Sequence, residues 1–154
     1  MSDRPSRRVI THINIMSLFN PTEAELRAWA AEPGADELTG DWDLVLAWNM
    51  EPERLRLLVE LAADTTLPNA PLFLRALYTW VWYVGRQQDF DSWRPYYDRW
   101  LDVAKGVRDP AVKRWRHRTR RIFQGIESFD KESWWDDYAA DIASQNVDPS
   151  GEQP

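Results

Sequence analysis

From Leu72 to Val84 the chain reads Leu-Phe-Leu-Arg-Ala-Leu-Tyr-Thr-Trp-Val-Trp-Tyr-Val, and Arg75 is its only charge. A helix of this composition is apolar on every side, so it has to lie at the centre of the fold with other elements packed around it. The run is too short to span a bilayer and carries a cation, which makes it a buried core helix rather than a membrane segment. The remainder of the chain must then supply amphipathic faces that cover it.

Those faces are legible as a series of helices. Asn20, Pro21 and Glu23 form a start signal, followed by an apolar stripe of Leu26, Trp29 and Ala30 that Pro33 and Gly34 close. Leu38, Trp42, Val45 and Leu46 resume helical spacing despite Gly40. Pro52 opens a third helix with Leu55, Leu58, Val59 and Ala62 on one face. After the central run, Trp93, Tyr96, Tyr97, Trp100, Leu101 and Ala104 predict a fifth, with Pro95 in its first turn and Gly106 near its end. Asp109 and Pro110 start a sixth, whose Val112, Trp115, Thr119, Ile122 and Ile126 alternate steps of three and four and form one seam. Asp130 caps a last helix with Trp135, Tyr138, Ala139 and Ile142 inward.

The expected fold is all-α: a compact bundle or short solenoid of about six to seven antiparallel helices joined by short loops. Val9 to Phe19 fits a short strand about as well as a helix. Residues 1–8 read as a flexible basic arm, 9–143 as a single helical domain and 144–154 as a flexible tail. With 154 residues, one domain is the default. The helical hairpins, on Leu67 to Tyr78 and Asp109 to Phe123, resemble α-solenoid repeats of the HEAT kind, which implies hairpins stacked side by side.

Composition then narrows the chemistry. There is no cysteine, so disulfides, thiolate metal sites and cysteine nucleophiles are excluded, and the basic start lacks the apolar core of a secretory signal, which places the expected location in the cytoplasm. The two histidines, His12 and His117, have no acid at metal-ligand spacing, so no metal site is expected. Phosphate loops, serine elbows and paired-glycine dinucleotide motifs are missing, and neither a catalytic residue nor a cofactor is assigned.

Charge is distributed unevenly in this acidic protein of net charge −6. Eight of its 19 Lys and Arg residues fall between Lys105 and Arg121, against one of its 25 acids, Asp109. On the sixth helix Lys113, Arg116, His117 and Arg120 line one flank of the seam, and Arg114, Arg118 and Arg121 line the other. Cations this close repel, so they pair with acids of the same chain or meet an anionic partner. Internal pairing is the favoured expectation, given the acids elsewhere. Asp136, Asp137 and Asp141 resemble the aspartate-rich magnesium motif of terpene synthases, enzymes far longer than this chain, and are assigned instead to the outer face of the last helix. Ten tryptophans serve mainly as core. Trp134 and Trp135 point about 100° apart on a helix, so Trp134 is expected to be the exposed one.

The sequence therefore points to a non-catalytic macromolecule-binding protein of the inhibitor, immunity or adaptor type, with a charged and aromatic helical surface formed by the basic helix and Trp134 and another protein as its partner. Phosphate or nucleic-acid binding through residues 110–124, or a small molecule held among tryptophans, are the alternatives.

Overall fold

The computed structural model describes residues 20–33 and 42–145, so Val9 to Phe19, Leu38, the basic arm and the tail from residue 146 lie outside the described residues, while Ser144 and Gln145, expected in the tail, end the last helix. Among the described residues there are seven α-helices and a 3-10 helix, and no strand. They are α1 (Glu23–Ala31), α2 (Trp42–Trp48), α3 (Pro52–Ala63), α4 (Ala70–Gly85), α5 (Phe90–Trp100), the 3-10 helix (Leu101–Ala104), α6 (Pro110–Phe123) and α7 (Lys131–Gln145). None of them is long and apolar enough to cross a membrane.

As its all-round apolar sequence requires, α4 is the hub. Phe73, Leu74, Leu77, Tyr78, Trp80 and Val81 are all buried, and α2, α3, α6 and α7 pack against it. Two aromatic clusters flank it. On one side Trp80 meets Tyr97, Trp100, Trp115 and Phe123 at ring-centroid distances of 5.7, 6.0, 6.4 and 5.5 Å. On the other, Tyr78 meets Trp134 at 4.7 Å and Tyr138 at 5.3 Å. In α3 the expected Leu55, Leu58, Val59 and Ala62 are buried, and Leu57 and Leu61 are buried as well, because α3 is covered by α1, α4, the 3-10 helix and α6.

Several expected boundaries move, each for a local reason. The α1 cap is Thr22, not Asn20: the Thr22 hydroxyl accepts from Glu25 N at 3.2 Å and the Glu25 carboxylate accepts from Thr22 N at 2.9 Å, a capping box that satisfies two end groups at once. Asn20 and the Pro21 carbonyl instead accept from Arg54 of α3. The other end of α1 is closed by buried Asn69, whose side-chain amide donates to Trp29 O at 2.6 Å and Glu32 O at 3.2 Å. Pro95 lies inside α5, not in its first turn, because that helix begins at Phe90. The α6 seam holds for Val112, Trp115, Thr119 and Ile122, but Gly125 (φ +76°) turns the chain after Phe123, and Ile126 is left exposed.

Asp130 does begin α7, accepting from Ser133 N, but the inward face is rotated from the expected one. Trp134 is buried and its indole N–H donates to Tyr78 O at 2.9 Å, while Trp135 is half-buried and Ala139 is exposed. Trp134, Tyr138 and Asp141, at i, i+4 and i+7, form the face that meets α4 and α6.

Candidate functional site

The two flanks of α6 meet opposite fates. On one, Arg114 Nε donates to Asp141 Oδ1 at 2.6 Å, and Arg118 Nη1 donates to Asp141 Oδ2 at 2.8 Å and to the Tyr78 hydroxyl at 2.6 Å. The Tyr78 hydroxyl in turn donates to Asp141 Oδ2. Asp137 adds an ion pair to Arg118 at 3.3 Å. Burial opposes the Asp141 charge, yet the bonds from Tyr78, Arg114 and Arg118 hold its carboxyl below the ordinary aspartate range. The phenol of Tyr78 is pushed up by burial and by its bond to this carboxylate. Asp141 is therefore the buried anchor of α7 and not part of an outer face. Arg121 at the end of the helix pairs with Glu127 at 2.7 Å.

The opposite flank stays open. Arg120 reaches Asp102 at 3.2 Å and Asp98 at 3.6 Å, and Arg116 Nε donates to the Leu101 carbonyl at 3.1 Å. Lys113 and His117 are exposed and, with Arg108 of the preceding turn, have no ion pair among the described residues. These side chains line a cavity of about 500 Å³ between the Ala104–Arg108 turn and α6. Burial, and then the neighbouring Arg120 charge, lower the Arg116 pKa from the ordinary arginine value. Sequence reasoning misses Arg108, because it precedes the helix and shares none of its periodicity.

Aromatic exposure is found on α5. No α5 residue is fully buried, since the helix packs on one side, against α6, the 3-10 helix and Trp80 of α4, and Trp93 and Tyr96 are 47% and 50% exposed. Their rings lie 5.4 Å apart, and the Arg99 guanidinium sits 4.7 Å over Tyr96. In the sequence both rings enter only as part of the helical spacing that predicts this element. Trp134, the expected exposed ring, is core.

A second cavity, of about 370 Å³, is lined by Leu44, Trp82, Trp135 and Tyr138 together with Asp43, Arg75, Thr79 and Lys131. The buried Asp43 carboxylate accepts from the Thr79 hydroxyl at 2.9 Å and pairs with Arg75 at 3.3 Å. The Trp82 and Trp135 rings approach to 6.5 Å. No group of three or more His, Asp or Glu residues that could hold a metal ion occurs among the described residues. Compared with known proteins, the chain matches no family model, no curated protein and no solved structure, so its functional reading stands on this geometry.

Proposed function

We propose that the chain is a non-catalytic binding module that docks a protein partner through the outer face of α5, with Trp93 and Tyr96 as apolar anchors and Arg99 as the accompanying charge. One observation carries this reading: Trp48 of α2 is also exposed, at 57%, but only here among the described residues do two half-exposed rings lie side by side, with an arginine over one of them, Tyr96. Trp, Tyr and Arg are the residue types in which interface energy concentrates. The partner that fits presents an apolar pocket with carboxylates at its rim. The resemblance of the hairpins to HEAT repeats, which bind along extended helical surfaces, points the same way, and the lack of cysteine fits action in the cytoplasm.

A nucleic-acid partner running along the whole of α6 is less suited to this surface, because Arg114, Arg118, Arg120 and Arg121 are already engaged by carboxylates of the same chain. The test is a paired capture from lysate of the source cell, with the full-length wild type and a Trp93→Ser, Tyr96→Ser variant as baits. The expected result is a protein held by the wild type and lost from the variant, with an unchanged melting temperature, since each hot-spot ring accounts for about 2 kcal/mol or more of binding. A partner retained equally by both baits sinks the proposal.

A further inference from the structure

Going beyond the α5 reading, we propose that the cleft between the Ala104–Arg108 turn and α6 is a binding site for a small polyanion carrying two linked phosphate groups, of the inorganic diphosphate type. Arg108, Lys113, Arg116, His117 and Arg120 all line this cavity, and no acidic side chain does. In a chain with 25 acids and net charge −6, a lining with four Lys and Arg side chains, a histidine and no acid is not what bulk composition would put there. Of these groups, among the described residues, Arg120 alone has carboxylate partners, Asp98 and Asp102. Arg108, Lys113 and Arg116 have no ion pair among the described residues and repel one another until an anion enters, and burial and then the Arg120 charge lower the Arg116 pKa.

The arrangement suits phosphate in particular. Arg116 is fixed through Nε to the Leu101 carbonyl at 3.1 Å, which leaves the two Nη groups of a pre-positioned fork for a tetrahedral oxyanion. Lys113, Arg116, His117 and Arg120 recur at one-turn steps over about 10 Å of helix, a span that matches linked phosphates better than a single one. The cavity, about 500 Å³, is also far larger than one phosphate needs. On the turn side of the cleft, Gly106 adopts φ +87°, and nothing lies within 4 Å of where its Cβ would sit.

The experiment is calorimetric titration of the full-length chain with sodium diphosphate, monophosphate and sulfate at matched ionic strength, and with a short poly-glutamate peptide. Diphosphate is expected to bind saturably and at least tenfold tighter than monophosphate or sulfate. The Lys113→Gln, His117→Gln variant should weaken it at least tenfold while melting as the wild type does, because both side chains are exposed and have no ion pair among the described residues. The Trp93→Ser, Tyr96→Ser variant should leave it unchanged, which separates this site from the α5 face. Diphosphate binding no tighter than sulfate, an unchanged affinity in the Lys113→Gln, His117→Gln variant, or tighter binding of the peptide than of diphosphate would each overturn the assignment.

Discussion

Replacing Asp141 with Ala is expected to cost roughly 3 kcal/mol and, for a domain of this size, to lower the melting temperature by roughly 6 to 12 °C. The carboxylate is 1% exposed and accepts from Arg114, Arg118 and Tyr78, so its removal takes away the acceptor these three share and leaves Arg118 only Asp137 and the Tyr78 oxygen. Breaking a buried pair typically costs about 3 to 5 kcal/mol. The lower end applies because the Arg114 side chain is 41% exposed and can rehydrate. Urea denaturation measures the loss, and a value below about 1 kcal/mol would mean that the cluster contributes no more than a surface pair.

The same carboxylate predicts an acid limb. Its pKa is lower in the folded than in the unfolded chain, so its contribution is complete above the unfolded aspartate value of about 3.9 and is lost as pH falls through the folded one. Between neutral pH and that point Asp141 adds no slope. Denaturation of wild type and Asp141→Ala across acidic pH should give curves that converge as the wild-type carboxylate protonates, and a constant gap down to the lowest pH would contradict the assignment.

How much of this was visible in the sequence depends on whether apolar or polar residues decide an element. The central α4 and the α6 seam were legible because apolar spacing alone fixes them: Val112, Trp115, Thr119 and Ile122 repeat at helical steps and are buried. The α7 face was not, because an aspartate is ordinarily placed outside and this one is drawn inward by arginines from another helix. Reading Asp141 as outward turns the helix by about one residue and exchanges Trp134 for Trp135. Asn69 was hidden for a similar reason, since its side chain caps nothing in its own helix and closes another helix forty positions away. In α5 the spacing was right, but its partner surface is small, so Trp93 and Tyr96 at correct helical positions still face outward.

The candidate sites divide the same way. That α6 has two cationic flanks follows from 3.6-residue geometry, and the expected internal pairing holds for Arg114, Arg118, Arg120 and Arg121. Which flank remains open could not be read, because it depends on where α7 and the 3-10 helix dock. Arg108 joins the open side only because the Gly106 turn brings it alongside Lys113 and His117.

The largest single loss is expected at Trp115, where substitution by Ala should destabilise the fold by about 3 to 5 kcal/mol. The ring is 0% exposed at the middle of α6, beside Trp80 at 6.4 Å, in the region where α3, α4 and the 3-10 helix all meet that helix. Helices approaching from three sides leave little freedom for the void to close, and the cost of a large-to-small change rises with the cavity that remains. The indole N–H of Trp115 has no hydrogen-bond partner among the described residues, so the loss is one of packing. Trp115→Phe, which keeps a ring and gives up no such bond, should therefore cost clearly less than Trp115→Ala. Trp93→Ala, at a ring 47% exposed, should stay within about 0.5 kcal/mol of wild type. In urea denaturation the cost should fall in the order Trp115→Ala, Trp115→Phe, Trp93→Ala, and equal losses for the two Trp115 variants would place the energy in the indole edge instead of in the filled volume.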